Sequence, residues 1–70
     1  MFGFKDEASY ICLNLSTYVK SGMSIGRSLD LIKNTVKDKK YKESLRRIEK
    51  KVLNGEALSK AFKEEGKLYP

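Results

Sequence analysis

The chain predicts an all-α fold, an antiparallel bundle of about four helices, and three observations predict it. Apolar residues recur at three- and four-residue spacing in four separate runs. Between the first two runs Gly22 supplies a helix stop, and Ser24 supplies a helix start. Together the runs cover far more than the usual third of a globular chain.

Taken in order, Met1 to Phe4 precede the helical pattern, with Phe2 and Phe4 expected to pack over one end of the bundle. Helix 1 is expected over about residues 6–21, with Asp6 and Glu7 where a helix N-terminus favours negative charge. Its main stripe is Ala8, Ile11, Cys12, Leu15 and Val19, while Tyr10 and Leu13 fall on nearly the opposite face. Gly22 then enters the left-handed conformation at low steric cost, and the Ser24 hydroxyl accepts an orphan backbone N–H of the next helix. Helix 2, about residues 25–37, buries Ile25, Leu29, Ile32 and Val36, and Lys33 and Lys37 complement its dipole. Helix 3, about residues 39–54, buries Tyr41, Leu45, Ile48 and Val52 and leaves Leu53 off the core stripe. Its polar side carries Lys39, Glu43, Arg46, Arg47 and Lys50, and Glu43 and Arg47 are spaced and ordered for i,i+4 support. Gly55 stops it. Helix 4, about residues 57–65, turns Leu58, Ala61 and Phe62 inward and stops at Gly66. Leu68, Tyr69 and Pro70 follow as an apolar tail with no helix left to cover. No long internal repeat, low-complexity segment or linker breaks the pattern, so residues 1–70 read as one unit.

A chain of 70 residues buries only about 60% of the surface its unfolded form exposes, so its stability is marginal. A single Cys12 and the absence of histidine exclude an internal disulfide and an ordinary zinc site, which leaves oligomerisation as the available staple. Cys12, on the apolar stripe, is expected to be a buried and inert thiol. No apolar run approaches the roughly 18 residues of a membrane span, and MFGFKDEASY lacks the pattern of a signal peptide. A cytoplasmic setting is the expectation. The formal charge of +6 sits in one segment, Lys33 to Lys51, where nine cations face three carboxylates.

The stretches LSTYVKSGMSIGRSLDLI and LRRIEKKVLNGEALSKAF, followed by LYP, resemble the cytoplasmic domain of the inner-membrane platform proteins of type II secretion and type IV pilus machines. The resemblance runs from about Ala8 to Pro70 and rests on Leu15, Gly22, Ser28 and Leu29, then Gly55, Leu58, Ser59 and Ala61, and finally Tyr69 and Pro70. Ser24 stands where that family often has proline, and Ala57 where it has a small hydroxyl residue, which weakens the cap of helix 4. The resemblance implies a six-helix domain, present twice per protein and continuing into transmembrane segments, so this chain reads as one truncated before its last two helices. It also implies a scaffold at the cytoplasmic face of the membrane that contacts the assembly ATPase and other inner-membrane components.

Two faces are candidates for contact. Lys39, Arg46, Arg47 and Lys50 form a basic face suited to an acidic patch of the ATPase or to anionic lipid headgroups, set against the plainer reading of a solvated surface. Tyr10 and Leu13 form an apolar face that needs covering, by further helices or in a homodimer. Gly22, Ser24 and Gly55 are structural turn residues, since the glycines are too scattered for a phosphate-binding loop. Enzymatic catalysis has no support, because the carboxylates lie at polar helical positions without a desolvated pocket, and no cofactor is implied. A small basic nucleic-acid-binding module is the alternative, disfavoured because the helix after the Gly22 corner offers few base-reading side chains and exposes Asp30.

Overall fold

The computed structural model describes residues 6–69. Among them every regular element is helical: α1 (Glu7–Lys20), α2 (Ile25–Thr35), α3 (Lys39–Leu53) and α4 (Leu58–Lys63), followed by a 3₁₀ turn at Gly66–Leu68. The expected packing of Phe2 and Phe4, and the place of Pro70, lie outside the described residues.

Helices begin where side chains supply caps. Asp6 Oδ1 accepts from the Ala8 N–H at 3.0 Å, so Asp6 caps α1 rather than opening it. Ser24 Oγ accepts from the Arg27 N–H at 3.2 Å, and Asp38 Oδ1 from the Lys40 N–H at 2.9 Å. Ala57 makes no side-chain cap, as its methyl group requires, and α4 is the shortest of the four helices.

Two helices end on glycine. At Gly22, φ is +98°, its N–H donates to the Val19 carbonyl at 3.0 Å, and the Met23 N–H reaches back to Tyr18 at 3.1 Å. At Gly55, φ is +96°, and the equivalent bonds run from Gly55 to Val52 and from Glu56 to Lys51, each 3.0 Å. Both are Schellman closures, in which a left-handed residue satisfies the last orphan carbonyls. The two corners match along the chain at a constant offset: Leu15 with Ile48, Val19 with Val52, Gly22 with Gly55, Ile25 with Leu58. The fold therefore repeats one corner twice, which the sequence alone hid because only the apolar and glycine positions correspond.

Helix α2 stops at Thr35, short of the expected Lys37. Val36 is extended (φ −78°, ψ 134°), which turns its side chain into the core at 2% exposure while Asp38 starts α3. Helices pack in chain order, α1 on α2, α2 on α3 and α3 on α4. Ile11, Leu29, Ile32, Leu45, Ile48 and Ala61, each no more than 1% exposed, form the centre of the core. At roughly 1.5–3 kcal/mol for each large aliphatic side chain, this cluster is the main favourable term in folding.

Three expectations about burial are corrected. Cys12 is exposed and Val19 is 40% exposed, because that edge of α1 faces α4, which at six residues is too short to cover it. The C-terminal tail is not left uncovered. Tyr69 is only 8% exposed, its ring edge-on to Phe62 at 4.7 Å and to Tyr41 at 5.7 Å, and its hydroxyl is 3.0 Å from the Ser44 hydroxyl inside the core. The 3₁₀ turn delivers it there, held by the Tyr41 hydroxyl donating to the Leu68 carbonyl at 3.2 Å.

Candidate docking surface

Along α3, at about 100° per residue, Lys39, Glu43, Arg46, Lys50 and Leu53 fall on one line opposite the buried stripe. All five are exposed, Leu53 at 76%. Beside this ridge, neighbouring helices neutralise the flanks. Toward α2, Glu49 accepts from Lys33 Nζ at 3.0 Å, and Asp30 lies 3.3 Å from the same nitrogen. The bond to Glu49 and the nearby Asp30 hold the Lys33 ammonium above its usual range. Toward α4, Lys51 meets Glu64 at 3.0 Å. That contact raises the ammonium and lowers the Glu64 carboxyl.

Arg47 leaves the predicted basic face. Its Nη2 donates to Glu65 Oε1 at 2.6 Å and its Nε to both carboxylate oxygens at 3.1 and 3.2 Å. A fork of this geometry is the strong form of ion pair, and the Glu65 side chain is only 4% exposed. The Arg47 bond, chiefly, holds the Glu65 carboxyl below the ordinary carboxylate range. The expected Glu43–Arg47 pairing is thus replaced: Glu43 turns instead to Arg46 at 3.6 Å, an exposed contact of little energetic weight. Lys39 and Lys50 make no ion pair with a described residue. Of the four predicted basic residues, Lys39, Arg46 and Lys50 share the ridge, and Arg47 ties α3 to the segment after α4.

Tyr10 and Leu13 are not equivalent. The Tyr10 hydroxyl donates to Thr35 Oγ1 at 3.2 Å across to the end of α2, and its ring is half-buried, while Leu13 projects at 53% exposure. Gly22, Ser24 and Gly55 occupy the two corners, as the turn assignment requires. Among the described residues no group of three or more histidine, cysteine, aspartate or glutamate side chains could hold a metal ion, and no helix is long and apolar enough to cross a membrane.

Sequence reasoning missed Glu65 as the partner of Arg47 and Ser44 as the partner of Tyr69. The first bond spans 18 residues and the second 25, beyond the reach of helical spacing. A serine in the middle of a basic helix, at a position that faces inward, was the one available sign of the second.

The model of the type II secretion system (T2SS) protein F family matches residues 11–70. The chain belongs to that family. The match takes in both glycine corners, the α3 ridge and the buried Tyr69. Neither a curated protein nor a solved structure matches the chain.

Proposed function

We propose that this T2SS protein F family member is a non-enzymatic assembly scaffold, a cytoplasmic domain of the inner-membrane platform of a type II secretion or type IV pilus machine. It docks the assembly ATPase and other inner-membrane components, and it passes on the motor's movement through packed surfaces rather than chemistry. Family membership over residues 11–70 carries this reading. The α3 ridge supports the docking role. Three cations stand on one exposed line with a single carboxylate among them, while the flanking acids are engaged with other cations. Such a ridge steers an acidic partner and sets its orientation more than it adds affinity.

The test is interferometry between the immobilised chain and the purified assembly ATPase at several salt concentrations. Binding should weaken with salt, and the double variant Lys39→Glu, Lys50→Glu should lower affinity at least tenfold with an unchanged circular dichroism melt. The same chain is titrated against a mixed-sequence DNA duplex and against vesicles of anionic phospholipid. Tight, salt-sensitive capture of the duplex with no response to the ATPase would replace the scaffold reading by the nucleic-acid module.

A further inference from the structure

In the sequence, residues 60–67 are nearly balanced in charge, with Lys60, Lys63 and Lys67 against Glu64 and Glu65. Folding separates the two signs. Glu64 turns to Lys51 of α3 at 3.0 Å, and Glu65, with 4% of its side chain exposed, is held in the Arg47 fork. All three lysines are exposed, and none makes an ion pair with a described residue. After the Lys51 contact, the field of Lys60 also lowers the Glu64 carboxyl, but the two form no ion pair. At about 100° per residue, Lys60 and Lys63 lie on the side of α4 away from Leu58, Ala61 and Phe62, and Lys67 follows on the exposed turn. The last described segment thus presents a cationic face, masked in the sequence by acids that point elsewhere.

The chemistry of that face narrows its occupant. Ser59 and Gly66 are its exposed neighbours, and no exposed large hydrophobic residue stands on it. A further helix would find nothing apolar to bury there and would desolvate unpaired ammonium groups. The face has no arginine to fork a particular carboxylate, whereas lysine is a point charge on a flexible stem. The α3 ridge differs on both counts, since Arg46, Glu43 and Leu53 stand on its line to orient a partner. Lysines alone suit a negative surface that is broad and without fixed pockets, and an anionic leaflet is such a surface. We propose that Lys60, Lys63 and Lys67 rest against the phosphates of anionic phospholipid headgroups, a membrane contact separate from the α3 ridge. The cationic face is independent of the platform reading, while the choice of a membrane as its occupant rests on it.

The test is sedimentation of the full chain with vesicles of phosphatidylglycerol and phosphatidylcholine in equal parts, and with vesicles of phosphatidylcholine alone. The chain should bind the mixed vesicles, leave them as salt rises and ignore the neutral ones. Each lysine at such a surface is worth about fivefold in affinity, so Lys60→Gln, Lys63→Gln and Lys67→Gln together should weaken binding about a hundredfold. The matching arginine triple should bind at least as well as the wild type, with circular dichroism melts that agree for all three chains. The ridge triple Lys39→Gln, Arg46→Gln, Lys50→Gln removes the same charge and should lose less than tenfold. Absence of binding to the mixed vesicles overturns the proposal. An equal loss in the two glutamine triples also overturns it, because net charge alone would then account for binding. The assembly ATPase titrated against the same variants separates this contact from the platform reading. No ATPase binding by the wild type removes that reading and leaves the vesicle result to stand by itself, whereas loss of ATPase binding in the α4 triple gives the face to the protein and overturns the membrane contact.

Discussion

Removing the Tyr69 hydroxyl should destabilise the domain measurably, although the residue stands at the end of the described chain. Tyr69→Phe keeps the ring against Phe62 and Tyr41 but takes from the Ser44 hydroxyl, a side chain at 0% exposure, its partner at 3.0 Å and leaves it only the Glu65 carboxylate. Losing one such buried hydrogen bond costs about 0.5–1.5 kcal/mol. For a chain of this size, 1 kcal/mol moves Tm by about 4–8 °C, so a loss on the order of 5 °C is expected. Tyr69→Ala removes the ring as well, at about 3–5 kcal/mol. The whole domain holds roughly 3–10 kcal/mol, so that variant should be at or near unfolding at room temperature. Ser44→Ala alone should also destabilise, by leaving the phenol unpaired. The double variant Ser44→Ala, Tyr69→Phe takes away both polar groups at once, and its cost should be clearly smaller than the sum of the singles. The assay is urea unfolding followed by far-ultraviolet circular dichroism, with Tm as a second readout. If Tyr69→Ala melts with the wild type, or if the two single costs simply add, the buried pair does not hold the tail to the core.

Two further outcomes follow from the corners and from the ion pairs. Alanine at Gly22 or at Gly55 meets no atom within 4 Å, so each substitution carries only the strain of a positive φ, about 1–2 kcal/mol, and the two costs should agree within error in the same urea assay. Arg47 lowers the Glu65 carboxyl in the folded state, so the pair's contribution is present above the unfolded carboxylate range and is lost as pH falls through the lower, folded value. Glu65→Gln should therefore lower Tm most near neutral pH and progressively less toward acid, flattening the acid limb of the stability–pH curve, as read from Tm between about pH 2 and pH 7.

The helices were legible because each of their signals is local. Gly22, Ser24 and Gly55 act on backbone groups within a few residues, and periodicity alone names Ile11, Leu29, Ile32, Leu45 and Ile48 as core. What failed to show depended on a neighbour. Val19 and Cys12 sit on a sound apolar stripe, but burial there needs a longer helix opposite than α4 supplies. Val36 fits the stripe of α2 and is buried, yet the extended backbone that buries it follows from where Asp38 starts the next helix. Arg47 was one of four similar cations on a polar face, and only the return of the chain after α4 singles it out for Glu65. The three remaining members of that face, Lys39, Arg46 and Lys50, could be read directly, since a solvent ridge follows from helical angle alone.

Helices that touch in chain order ask little of the unfolded chain. Each corner closes a short loop, and such low contact order places the domain among those that fold in microseconds to milliseconds. The tail stands apart, since Tyr69 and Leu68 reach back 25 and 27 residues to Ser44 and Tyr41. Closing that stretch carries its own entropic cost, so the bond is well suited to act after the transition state. An interaction made there slows escape from the native state rather than hastening arrival. For a small domain, the tail is then a device of endurance: it lengthens the time between unfolding events.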